Sequence, residues 1–154
     1  MKKKVEIIKY RPSYKDDFRE ISYEWLNQYD ILESKDILII ENVEQEILND
    51  GGQIFLAKID NEIVGTASLI NIDDETVELA KFGVKDSHQG NGIGTKLINK
   101  CITVAKKLQN KKIILETVSV LESSIYLYEK FGFEELDSFE SKYETTDKLY
   151  ELVL

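Results

Sequence analysis

Val84-Lys85-Asp86-Ser87-His88-Gln89-Gly90-Asn91-Gly92-Ile93-Gly94-Thr95-Lys96-Leu97 is the stretch on which the fold turns. Its pattern predicts a strand that ends at Val84, a glycine-rich turn, and a helix that begins at about Gly92. Three glycines at alternate positions leave the backbone N–H groups from Gln89 to Thr95 uncovered by side chains, and they permit the positive φ angles of an anion cradle. The first-turn N–H groups of a helix lack partners inside it, and the helix dipole favours an anion there. A phosphate or pyrophosphate is the expected guest.

Charge agrees. The chain carries formal charge −9, yet no acidic residue occurs from Ser87 to Leu115. Lys96, Lys100, Lys106, Lys107, Lys111 and Lys112 make that window +6 and leave −15 for the remainder.

The turn is not a P-loop, because no Gly-Lys-Ser/Thr closes it, and its glycines do not follow the G-x-G-x-x-G of dinucleotide folds. Gln89-x-x-Gly92-x-Gly94 resembles instead the acetyl-CoA signature of the GNAT superfamily of N-acetyltransferases, an Arg or Gln followed by x-x-Gly-x-Gly or Ala. A second stretch, Leu127-Tyr128-Glu129-Lys130-Phe131-Gly132-Phe133, resembles the family's Tyr-Glu-Lys-x-Gly-Phe ending. The resemblance runs from about Ile7 to Leu154. The reading it displaces is a glycine turn with no ligand.

Working outward, 154 residues with 42% hydrophobic and 32% charged content describe one ordinary globular domain spanning 1–154. The single cysteine, Cys101, excludes an internal disulfide and fits a reducing cytoplasm; it lies on an apolar helical stripe, as filler rather than nucleophile. No apolar run reaches membrane-spanning length. Met1-Lys2-Lys3-Lys4 resembles the start of a signal peptide, but Glu6, Lys9 and Arg11 leave no h-region. The acidic balance argues against nucleic acid as a partner.

In chain order, Val5 to Tyr10 reads as a strand, and Ser13-x-x-Asp16 opens a helix with Tyr14, Phe18, Ile21, Trp25 and Tyr29 on one face, a core stripe. Glu33 to Asn49 reads as a second helix ended by Gly51-Gly52. Eight acids (Glu24, Asp30, Glu33, Asp36, Glu41, Glu44, Glu46, Asp50) face Lys35 alone between Glu24 and Asp50. They form either a solvated face or an electrostatic funnel for a cationic substrate. Gln53 to Ile59 and Glu62 to Ile70 form a hairpin about Asp60-Asn61, and Thr76 to Val84 feeds the glycine turn. The helix from Gly92 to Leu108 precedes a buried strand, Lys112 to Val118, and Ser119-x-x-Glu122 reads as a capping box for the next helix. Phe133 to Phe139 and Lys148 to Leu154 complete the strands. The order is that of an α+β fold, and the resemblance implies the GNAT form of it: a mixed, mostly antiparallel sheet flanked by helices on both faces.

The resemblance further implies a site. Acetyl-CoA would be the cosubstrate, with no metal, and a primary amine would attack it directly. The amides of Gln89, Gly90, Asn91, Gly92, Ile93, Gly94 and Thr95 would hold its pyrophosphate, and the backbone of Phe82 and Val84 its pantetheine arm. Tyr128 matches the family's frequent general acid, although it also lies on a buried stripe. Glu78 is the candidate base: strand alternation puts it on one face with Ala80, Phe82 and Val84, apolar neighbours that raise a carboxyl's pKa. A strand-end glutamate facing solvent is its other reading. Leu121 stands where many members carry an asparagine that contacts the cofactor. The rival to an enzyme is a GNAT-fold module that binds acyl-CoA as a sensor or partner without chemistry, and a nucleotide-binding protein is a more distant one. The acceptor amine and the oligomeric state, a homodimer included, stay open.

Overall fold

Apolar segments of period two become seven strands of one sheet, and segments of helical period cover its two faces. The structure, a computed structural model, describes residues 3–137 and 140–154. The strands are β1 (Val5–Lys9), β2 (Gln53–Ile59), β3 (Glu62–Asn71), β4 (Thr76–Val84), β5 (Lys112–Thr117), β6 (Glu134–Leu136) and β7 (Lys148–Val153), in the spatial order β1-β2-β3-β4-β5-β7-β6. Every neighbouring pair is antiparallel except β4 and β5. The helices are α1 (Lys15–Gln28), α2 (Ser34–Glu41), α3 (Ile93–Lys107) and α4 (Glu122–Lys130). Phe18, Ile21 and Leu26 of α1 pack with Ile39 and Ile40 of α2 on one face of the sheet, while Leu97 and Cys101 of α3 pack with Tyr128 of α4 on the other. This is the expected mixed sheet between helices. Among the described residues no helix is long and apolar enough to cross a membrane.

Several local expectations change. The helix expected over 33–49 breaks at Asn42 (φ −128°, ψ 50°), whose side-chain amide donates to the Leu38 carbonyl at 2.9 Å and offers the backbone an alternative to the helix. The chain then makes a π-helical turn, Glu44–Leu48. Ser13 lies in a 3-10 turn, Pro12–Tyr14, rather than capping α1. Ser119 does not cap α4 either: its N–H and hydroxyl donate to Asp147 at 2.9 and 2.6 Å, and the helix starts from Leu121. The strand expected over 133–139 is three residues long, and its Ser138 and Phe139 lie outside the described residues. The Asp60-Asn61 hairpin forms as expected, with Asp60 at φ +54°.

The departure that matters most is in β4. Thr66 pairs with Gly83 but Ser68 with Ala80, so Lys81 and Phe82 together oppose Ala67, and Lys81 sits at φ +49°. This is a β-bulge, and it reverses the alternation. Ala80 packs on the α1/α2 face, whereas Phe82 and Val84 pack on the α3/α4 face. The single face expected for Glu78, Ala80, Phe82 and Val84 is therefore corrected: Glu78 and Ala80 lie on one side and Phe82 and Val84 on the other. Pairing of β4 with β5 covers only Thr76, Val77 and Glu78, after which the two strands part.

A left-handed non-glycine residue costs roughly 1–2 kcal/mol. The Lys81 side chain is buried, and its ammonium meets Asp36 Oδ1 of α2 at 2.5 Å, with the two side chains 4% and 6% exposed. Replacing Asp36 with Ala strands a buried ammonium and should lower the unfolding free energy by about 3–5 kcal/mol, read from urea denaturation. The double variant Asp36→Leu/Lys81→Met should recover most of that loss, since it removes both charges together.

Candidate active site

The glycine turn, the parted ends of β4 and β5, α4 and the segment between β6 and β7 enclose a cavity of about 390 Å³. At the turn, Gly90 and Gly92 take φ +81° and +75°, and a Cβ on either would meet nothing within 4 Å. Glycine is needed there for the backbone angle, and the ground beside it stays open. Gly94 serves packing instead: a Cβ would come within 3.0 Å of Phe82 Cζ and 3.2 Å of Leu127 Cδ2. Ile93, Gly94 and Thr95 open the 15-residue α3, so their N–H groups are its unpartnered first-turn donors. Gln89 is otherwise engaged. Its N–H donates to Asp86 O and its side-chain amide to Val84 O, both at 3.3 Å, so it braces the turn. Asn91 does not line the cavity, and its side chain donates to His88 O at 3.1 Å.

Along the gap between β4 and β5, Phe82 and Val84 form one wall. Among the described residues, the buried Thr117 Oγ1 and Trp25 Nε1 have no hydrogen-bond partner, and both residues line the cavity. Trp25 lies so close to Gly83 that a Cβ there would sit 2.3 Å from its Cδ1. The aromatic stripe of α1 thus divides: Phe18 and Ile21 are core, whereas Trp25 and Tyr29 reach the cavity.

Tyr128 and Glu78 both line the cavity. Tyr128 packs against Phe82, Phe133 and Tyr150, with ring centroids 6.0, 5.9 and 6.4 Å away. Burial pushes its phenol well up, against the pull of a hydrogen bond with Ser124. Glu78 is 2% exposed and meets Lys142 Nζ. Burial raises its pKa, Lys142 and Lys81 pull it down, and the like charge of Glu116 raises it. Tyr143 is also pushed up, first by burial and then by Glu78, Asp36, Glu116 and Glu33. Cys101 is buried, its thiol pushed up to about 12, which suits filler.

Sequence reasoning missed Lys81, Glu116, Lys142 and Tyr143. Glu116 was within reach: Glu78 pairs with Ile114 across the parallel strands, so Glu116 follows on the same face as Glu78. Lys142 and Tyr143 carried no signal, since they reach the site only through tertiary contact. The eight-acid run does not act as one surface. Of its members only Asp36 lines the cavity, paired with Lys81, while Glu41 binds Arg19 and Tyr23 at 2.9 and 2.6 Å, and Glu24 accepts the Asp86 N–H at 3.2 Å.

Comparison with known proteins gives concordant matches. The family model described as acetyltransferase (GNAT) family matches residues 11–133. An uncharacterized N-acetyltransferase of Bacillus subtilis, YvbK, is 30% identical over 101 residues, 64% of this chain and 65% of that protein. The chain spans about half to two-thirds of the length of the curated relatives it matches. A GNAT-family acetyltransferase from Staphylococcus aureus superposes with TM-score 0.86 at 32% identity, covering 96% of this chain and 98% of that one. Another, from Elizabethkingia anophelis with acetyl-CoA bound, gives TM-score 0.68 at 26% identity, covering 99% and 100%.

The environment of Glu78 has a consequence for stability. Its folded pKa lies above the ordinary carboxyl value, so folding favours its protonated form. That contribution is full below the unfolded pKa, about 4.3, and is lost as pH rises through the folded value. Glu78→Gln should therefore gain on the wild type as pH rises through this window, in urea midpoints measured against pH. A constant difference between the two proteins would contradict the assignment.

Proposed function

Because the chain belongs to the acetyltransferase (GNAT) family, we propose that it transfers an acetyl group from acetyl-CoA to a primary amine, on a small molecule or a peptide, by direct attack. The observation that carries this reading is the continuity of one cavity from the glycine turn through the β4–β5 gap to Tyr128 and Glu78. When bound, acetyl-CoA supplies a thioester-activated acetyl group. The residues present suit it. Open ground at Gly90 and Gly92 and the N–H donors of Ile93, Gly94 and Thr95 suit a pyrophosphate. The edge of β4 at Phe82 and Val84, beyond its pairing with β5, suits the amides of a pantetheine arm, and Thr117 Oγ1 awaits a polar partner.

Glu78 takes a proton from the acceptor ammonium, which frees the nitrogen lone pair. Tyr128 keeps its own proton at neutral pH and gives it to the departing sulfur. The cavity wall carries Asp36, Glu78 and Glu116 against Lys81, a balance that supports a cationic acceptor. Residues 1–154 are read as one catalytic domain of the cytoplasm, working without metal; the buried, reduced Cys101 suits that compartment. The binding-only alternative is favoured by one observation, the 6% exposure of Tyr128. It predicts coenzyme A binding with no thiol release for any amine.

Gly92→Asp would place a side chain and a negative charge on the open ground of the turn. Calorimetry should then detect no coenzyme A binding, and an affinity equal to wild type would overturn the cofactor assignment. Tyr128→Phe keeps the ring packing and removes only the proton donor. Turnover should fall by about 10²–10⁴ while coenzyme A affinity holds. Wild-type turnover in that variant, with chemistry rate-limiting, would return Tyr128 to the core.

A further inference from the structure

Two buried carboxylates, Asp36 and Glu78, line the cavity, and each meets one ammonium. Asp36 and Lys81 are both sealed from solvent and join two elements of the scaffold. Glu78 is sealed as well, its side chain 3% exposed, but its partner Lys142 keeps 34% of its side chain accessible and comes from the segment between β6 and β7. That segment straps over the cavity and contributes Tyr143, Thr145 and Thr146 to its lining.

The strap is fastened without Lys142. Glu33 accepts the N–H groups of Glu144 and Thr145, each at 2.9 Å. Glu116 Oε1 accepts the hydroxyls of Ser141 and Thr146 at 2.5 and 2.9 Å. Asp147 holds Ser119 at the strap's end, with its N–H at 2.9 Å. What Lys142 adds is a charge, delivered to one buried carboxylate.

We propose that Lys142 is a positioning residue: from the strap it supplies the counterion that orients Glu78 and keeps it ionised, ready to take a proton from the acceptor amine. This rests on the reading of Glu78 as the base. The other groups around Glu78 do not fill that role. Lys81, on the same strand, is committed to Asp36. Glu116 of β5 repels a second negative charge, and Asp36 of α2 and Glu33 just before it act with Glu78 and Glu116 on the neighbouring Tyr143 phenol. Tyr143 of the strap is held neutral, and its ring has both ammonium groups over it, Lys81 at 5.1 Å and Lys142 at 5.5 Å. Among the described residues, Lys142 is thus the cation free to serve Glu78. Without it, burial and the like charge of Glu116 outweigh the smaller pull of Lys81 and favour the protonated form of the carboxylate, which cannot accept another proton. The strap's position and the base's readiness are coupled through this one contact.

The test is a direct titration of Glu78 by carboxyl carbon NMR in the full chain, with Glu78→Gln used to assign the signal. Lys142→Met should raise the midpoint by at least about one pH unit, and Lys142→Arg, which keeps the charge, should stay near wild type. An unmoved midpoint in Lys142→Met would overturn the inference, as would equal shifts in both variants, which would mean that packing rather than charge is responsible. Thiol release from acetyl-CoA with 1,4-diaminobutane and other primary diamines gives the second readout. The acidic limb of kcat/KM should follow the NMR midpoint, about a tenfold rate loss for each pH unit below it. If the midpoint moves and the limb does not, or if Glu78→Gln keeps the limb, the base is another group: the counterion stands and the reading of Glu78 falls.

Discussion

The ion pair between Lys81 and Asp36 is the contact on which the site depends. A bulge in β4 has at its centre Lys81, which holds a left-handed angle and whose ammonium is sealed against α2. The bulge then decides two things together. It sends Phe82 and Val84 to the α3/α4 face, against the helix that the glycine turn opens, and it leaves Glu78 on the opposite face. It also accompanies the parting of β4 from β5, which ends their ladder at Glu78 and leaves backbone edge for a guest. Without the bulge Glu78, Ala80, Phe82 and Val84 would share one face of β4.

Around that passage the charges are apportioned with little surplus. Each of four carboxylates near Tyr143 has its own partner: Asp36 has Lys81, Glu78 has Lys142, Glu33 has two backbone amides and Glu116 has two hydroxyls. Two of the four are met by cations and two by neutral donors, so the region keeps a net negative charge facing the cavity. That surplus is what supports the proposal of a cationic acceptor. At the other end the glycine turn offers N–H groups, and the chain carries no acidic residue from Ser87 to Leu115. The two ends therefore differ in electrostatic character, which is the basis for proposing an anionic cofactor at one and a cationic acceptor at the other.

The strap between β6 and β7 links the two kinds of stability in the molecule. The sheet and its helices are held by burial of apolar side chains, a non-directional force that tolerates the irregularities at Asn42 and Ser13. Residues 141–147 of the strap are held by hydrogen bonds and an ion pair to Glu33 before α2, Glu78 of β4 and Glu116 of β5, while the strap's own Asp147 accepts from Ser119 in the loop before α4; these contacts specify its placement through direction and charge. Its Tyr143, Thr145 and Thr146 complete the wall of the cavity.

Much was legible beforehand because it is local. The strand Thr76–Val84, the hairpin at Asp60-Asn61 and α3 with its glycine turn follow from alternation, turn chemistry and helical period, each a property of a few neighbouring residues. The motifs at Gln89–Gly94 and Tyr128–Phe133 carried the family, which the comparisons then showed. Other features were not local and could not be read. Alternation predicts one face for Glu78, Ala80, Phe82 and Val84, and it fails because a bulge depends on what the neighbouring strand and α2 offer Lys81. The acid run between Glu24 and Asp50 looks like one surface, yet its members scatter to different partners once helices pack. Lys142 lies 64 residues from Glu78, and nothing in either neighbourhood announces their meeting. By itself, then, the sequence determined most of the elements, their order and the glycine turn before α3, because backbone propensity and period act over short range. Only the tertiary structure decided which way β4 faces beyond its bulge and which charges meet in the cavity, because those depend on side chains from distant segments sharing one buried, low-dielectric space.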